Sequence, residues 1–108
     1  ENLRRVAFGK EEKVLNLIKI YNMLYFNLYN KHLYQPFVES LIYNLPENTF
    51  DSDDIYEIFI RSINFLNNAR WQDCVSILDN TLPMCKDERL NMNLYETLDF
   101  IKNVKSNL

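Results

Sequence analysis

A single glycine, Gly9, stands in a chain of 108 residues, and that scarcity narrows the possible folds more than any other feature. Phosphate-binding loops and dinucleotide folds need several glycines, for positive φ and for close approach of the backbone to phosphate. Both classes are excluded. What the chain has instead is core-forming material: 47% of residues are hydrophobic, and seven Tyr, seven Phe and Trp71 supply large rings. Apolar groups at that density argue against disorder, and the length suits one domain, residues 1–108, around one core. The net charge of −3 leaves no electrostatic footprint for nucleic acid, and Arg4 with Arg5 makes only a two-residue patch. No apolar run is long enough for membrane insertion. The chain starts with Glu1 rather than Met, so it is expected to be a piece of a longer or processed one.

Apolar spacing marks five helical segments. In the first, Val14, Leu17, Ile18, Tyr21, Leu24, Tyr25 and Leu28 recur at i, i+3 and i+4. Glu11 and Glu12 suit the positive end of its dipole, and Asn30 with Lys31 marks its end. The second starts at Pro36, whose missing N–H costs nothing in a first turn. It presents Phe37, Val38, Leu41, Ile42 and Leu45 and is stopped by Pro46. Residues 47–54, "ENTFDSDD", read as a loop, with Asp51 or Ser52 as N-cap and Asp53 and Asp54 in the next first turn. The third helix carries Ile55, Ile58, Phe59, Ile63 and Leu66 and stops near Asn67 and Asn68. A fourth is predicted over residues 69–82, with Trp71, Cys74, Val75, Leu78 and Leu82 on one side and Pro83 after it. A fifth starts near Asp87 and Glu88 and aligns Leu90, Leu94, Leu98, Ile101 and Val104, with Lys102 and Lys105 toward its carbonyl end. No segment alternates as a strand would. The expected fold is all-α, a compact five-helix bundle of antiparallel helical hairpins.

The only tryptophan directly follows the Asn-Asn break. In a hairpin of helices three and four, an indole in the first turn of the second rod fills the wedge where the two diverge. Arg70 then lies over the corner with its charged end in water. Leu66, Arg70, Trp71, Cys74 and Ile77 make up this expected structural corner.

Little in the chain points to chemistry. His32 is the only histidine and falls in a loop, so a zinc site lacks ligands. Cys74 repeats the spacing of Trp71 and Leu78 and reads as a small core residue. Cys85 reads as more exposed, with neither base nor oxyanion donor nearby, and the pair is expected to be reduced in a cytosolic setting. Asp51, Asp53 and Asp54 lack the glycine and closing glutamate of a calcium loop, and capping accounts for them. No catalytic residue, metal or cofactor is therefore expected. The first helix stands out for its aromatic and apolar content: Tyr21, Tyr25 and Tyr29 follow one another at i, i+4, while Leu15, Met23 and Phe26 lie off the main stripe. The first reading is a central helix packed on most sides. The second is a partner surface formed by Leu15, Met23 and Phe26, of residue types that interfaces favour.

Around the tryptophan, Leu66, Asn67, Asn68, Arg70, Trp71, Cys74 and Ile77 resemble the pattern of a helical domain. It is shared by the steroid receptor RNA activator protein and the C-terminal end of the outer COPII coat scaffold protein. The resemblance spans most of the region 14–104, with its specific part in barely a dozen positions. It implies a five-helix protein-interaction module at the C-terminal end of a longer chain. Its setting is the cytoplasm or ER exit sites, in ER-to-Golgi transport, with coat or adaptor subunits as partners. Where that family carries a tryptophan and a glycine at its last helix, this chain has "LYETLDFIKNVK". A second family is similar through "DIYEIFIRSINFLNNARWQDCVSILD", notably Val75, Ile77, Leu78 and Asp79. This is the tetratricopeptide-like matrix-side subunit of cytochrome c oxidase, which implies a structural role at the mitochondrial inner membrane. Generic repeat-like helical hairpins are a third option.

Overall fold

The computed structural model describes residues 11–108; Arg4, Arg5 and Gly9 lie outside the described residues. Over these residues the chain is all-helical, with four α-helices rather than five and no strand. Helix α1 spans Glu11–Tyr29, α2 spans Gln35–Tyr43, α3 spans Ile55–Asn67 and α4 spans Leu94–Ser106. Helix α3 packs on both α1 and α4, and α1 also packs on α2.

Each helix is bounded by identifiable chemistry. Glu11 and Glu12 occupy the first turn of α1, and Asn30 ends it in the left-handed region (φ 54°) while its N–H reaches Phe26 O at 2.8 Å. Pro36 sits in the first turn of α2, and Pro46 follows its end. The loop predicted over residues 47–54 contains a 3-10 turn, Glu47–Phe50. The N-cap of α3 is Asp54, whose Oδ1 accepts from Tyr56 N at 3.0 Å, while Ser52 Oγ accepts from Asp54 N one step earlier. Asn93 and Glu96 form a capping box at the start of α4, each side chain accepting from the other's backbone N–H.

The core lies where α1, α2, α3 and α4 meet. Val14, Leu17, Ile18 and Tyr21 of α1 face Ile58, Phe59, Ser62 and Ile63 of α3 and Phe100, Ile101 and Val104 of α4. The Tyr21 hydroxyl is buried there and paired with Ser62 Oγ at 2.6 Å. Desolvation pushes its pKa well up, so it stays a neutral phenol. The helix packed on most sides is α2, with Phe37, Val38, Ser40, Leu41 and Ile42 fully buried. The expectation of a central first helix is corrected by this. Charge explains the exchange, since α2 carries only Glu39 whereas α1 carries Glu11, Glu12, Lys13 and Lys19.

The largest departure is the predicted helix over residues 69–82, which is absent. Trp71–Asp73 is a single 3-10 turn, and Cys74 leaves it in an extended conformation (φ −88°, ψ 125°). Val75 then forms an isolated antiparallel bridge with Pro83, flanked by Ser76 N to Leu82 O at 2.9 Å and Met84 N to Cys74 O at 2.8 Å. Two further 3-10 turns, Met84–Lys86 and Glu88–Leu90, lead toward α4. The physical reason is competition for backbone groups. Asn44 Oδ1 accepts from Val75 N, and Asn44 Nδ2 donates to Val75 O, both at 2.8 Å. Ser40 Oγ accepts from Ile77 N at 3.0 Å, and Asp79 Oδ1 accepts from Thr81 N. These partners satisfy the donors and acceptors that a helix would have used internally.

Helix α4 also starts later than predicted and shows a different face. Asp87 caps a 3-10 turn instead of the helix, and Asn91 breaks the chain with φ 63°. Of the predicted stripe of Leu90, Leu94, Leu98, Ile101 and Val104, only Ile101 and Val104 are buried on the helix. Leu90 is buried outside the helix, and Leu94 and Leu98 are each 45% exposed. Thr97 and Phe100 turn inward with Ile101 and Val104, because the helix buries the Phe100 ring rather than the two leucines.

Candidate functional site

The expected structural corner is only partly assembled. Leu66, Trp71 and Cys74 are buried in the common core, and Ile77 packs against it half-buried. Arg70 is exposed and reaches Asp73 with Nε to Oδ2 at 3.4 Å. The indole, 7% exposed, is buried in the common core from a 3-10 turn and not from a second helical rod. Leu78, assigned to the same apolar side, is exposed.

Asp87 and the two cysteines are the buried or half-buried titratable groups of this segment. Asp87 is buried and accepts from Ser76 Oγ at 2.6 Å and from Arg89 Nε and Nη2 at 2.8 and 2.9 Å. The Arg89 guanidinium holds its carboxyl down at about 2, helped by the Ser76 hydroxyl and the Arg89 N–H and opposed by burial. Burial pushes the Cys74 thiol up to about 11, with the nearby Cys85 adding to the effect. Cys85 is likewise raised by burial, although its thiol faces Thr97 Oγ1 at 3.8 Å. Both cysteines are free thiols. His32 is exposed and stacks on Phe26 with ring centroids 5.0 Å apart. Among the described residues no three of His, Cys, Asp and Glu converge as metal ligands, and no helix is long and apolar enough to cross a membrane.

The candidate partner surface is where the structure offers most. Leu15 is 56% exposed, Met23 55% and Phe26 41%. Their positions, i, i+8 and i+11 on one helix, place them along the side of α1 turned away from Val14, Leu17 and Tyr21. Lys19 is exposed between them and supplies a polar margin. Leu28, predicted to belong to the core stripe, is exposed as well.

A second constellation joins α1 to α4 and was not foreseen. Tyr29 Oη donates to Asp99 Oδ2 at 2.8 Å and accepts from Asn103 Nδ2 at 2.9 Å, while Tyr25 Oη points to Met92 Sδ at 3.9 Å. The i, i+4 spacings of Tyr25 with Tyr29 and of Asp99 with Asn103 are visible in the sequence. Their meeting is not, because 70 residues separate Tyr29 from Asp99. Tyr95 is 72% exposed beside them. Comparison with family models, with curated proteins and with solved structures finds no match in any of the three.

Proposed function

We propose that this domain is a non-catalytic protein-interaction module whose docking face is the Leu15, Met23 and Phe26 side of α1. The observation that carries this reading is the exposure of three large apolar side chains along one helix face, two of them more than half exposed. Met and aromatic residues are the types that interface cores favour, and an apolar helix face is commonly read by a complementary groove or helix of a partner. The cellular setting is proposed from the resemblance around Leu66 to Ile77: a place among coat or adaptor subunits in ER-to-Golgi transport. The burial of Leu66, Trp71 and Cys74 in one core supports it. The missing fourth helix is a departure from that family's five-helix pattern.

Site-specific photo-crosslinking in the full-length protein, in its own cells, tests the reading. With p-benzoylphenylalanine at position 23, a discrete heteromeric adduct is expected, and coat subunits are expected in it. The same probe at Tyr56, an exposed ring on α3, serves as control. Absence of an adduct at 23, or equal labelling at 56, overturns the interaction face. An adduct with respiratory-chain subunits moves the protein to the mitochondrial setting.

A further inference from the structure

The C-terminal half of α1 and the first half of α4 border a pocket of about 230 Å³ built from tyrosine rings and carboxylates. Tyr25 and Tyr29 have ring centroids 4.8 Å apart, and Phe100 meets each of them edge-on at 5.1 and 6.3 Å. Tyr95 of α4 adds a third tyrosine to the lining. Because the hydroxyls of Tyr25 and Tyr29 are engaged by Met92, Asp99 and Asn103, these two rings are held in place in the lining. The carboxylates are only half used. Asp99 accepts through Oδ2, and Glu96 accepts from Asn93 N through Oε1, which leaves Asp99 Oδ1 and Glu96 Oε2 without a partner among the described residues. The charge of Glu96, after burial, raises the pKa of Tyr25, and Asp99 acts on Tyr29 in the same direction. Lys31 also lines the pocket, yet it forms no ion pair with either carboxylate.

We propose that this pocket receives a cationic side chain, arginine or lysine, from a partner protein, its stem against Tyr29 and Tyr95 and its charge on Asp99 and Glu96. Ring faces carry negative quadrupole potential, so tyrosines and carboxylates attract the same ligand. The volume lies below the range of about 300–1,000 Å³ usual for small-molecule sites, and it admits one long side chain. A second hollow of about 280 Å³ shares Tyr95 and Asp99 and is lined further by Leu98 and Lys102. Leu98, 45% exposed in that hollow, offers apolar contact to a residue flanking the cation, which favours a peptide over a free polyamine. The site is separate from the Leu15, Met23 and Phe26 face, so its test stands or falls independently of that reading.

Amide chemical shifts of the isotope-labelled 108-residue protein, titrated with a capped Leu-Arg-Leu tripeptide and its isosteric, neutral citrulline counterpart, test the proposal. Saturable shifts at Tyr29, Tyr95 and Asp99 are expected with the arginine peptide, and its affinity exceeds that of the citrulline peptide by about threefold or more. Asp99→Asn weakens arginine binding, while Lys31→Met, which removes a competing positive charge from an exposed position, strengthens it. The spectra themselves report whether each variant is folded. Equal binding of the two peptides, shifts confined elsewhere, no shifts at all, or weaker binding by Lys31→Met overturns the proposal.

Discussion

The side chain of Asn44 pairs with the backbone of Val75 as a neighbouring strand would, donating to its carbonyl and accepting from its N–H, both at 2.8 Å. Its Nδ2 also donates to Ser40 O, within its own helix. One amide thus joins the end of α2, the most buried helix, to a segment 31 residues later that has no helix of its own.

Replacing that amide should loosen the segment. Asn44→Ala leaves the N–H and carbonyl of half-buried Val75 without their partners, at about 1–3 kcal/mol for an unsatisfied buried group. The urea midpoint of Asn44→Ala is expected to fall accordingly. Asn44→Asp keeps the acceptor for Val75 N and loses the donors, so it should leave the Val75 amide proton protected from exchange while its carbonyl partner is lost. A midpoint unchanged in Asn44→Ala would show that water replaces the amide without cost.

Trp71 is a core residue despite lying outside a regular helix. Trp71→Ala removes a ring that is 7% exposed in the common core, and an aromatic truncation of this kind costs about 3–5 kcal/mol. That is a large share of the stability of a domain of this size. Thermal unfolding should shift steeply downward. A melting temperature close to that of the parent would contradict the corner.

Asp87 makes stability depend on acid. Its folded carboxyl is held at about 2, against an ordinary 3.8, first by the Arg89 guanidinium. A group with a depressed folded value stabilises fully above its unfolded value, and the contribution fades as pH falls from 3.8 toward about 2. Denaturation midpoints measured from pH 5 downward should therefore drop through that window. In Asp87→Asn the drop should be shallower, from a lower stability at neutral pH. An identical acid limb in parent and variant would remove Asp87 from this role.

The helices were legible where periodicity and caps agree. Val14, Leu17, Ile18 and Tyr21 point inward at the predicted spacing, and Pro36 and Pro46 bracket α2. Residues 69–82 misled for a definite reason: Trp71, Cys74, Val75 and Leu78 happen to recur at helical spacing, while the bonds that decide the conformation come from Ser40 and Asn44. Nothing local announces them, although β-branched Val75, Ile77 and Thr81 weaken the case for a helix. In α4 the register slipped because Asn91 takes a left-handed turn and Asn93 caps the helix, which moves its start from Asp87 to Leu94. Leu15, Met23 and Phe26 visibly fall off the core stripe of α1, yet its aromatic content favours a helix packed on most sides, a place that α2 takes instead. The tyrosine pocket was not legible, since it joins residues far apart in the chain.

The interaction face is tested most directly by separating binding from folding. Met23→Glu with Phe26→Glu places charge on two exposed positions, where each substitution changes stability by roughly 0.5 kcal/mol or less and melting by no more than about 4 °C. With the photo-crosslinker at position 15 of the full-length protein, the expected result is an unchanged melting temperature and loss of the adduct. An adduct that survives both charges, or a chain that unfolds because of them, would contradict a partner surface on α1.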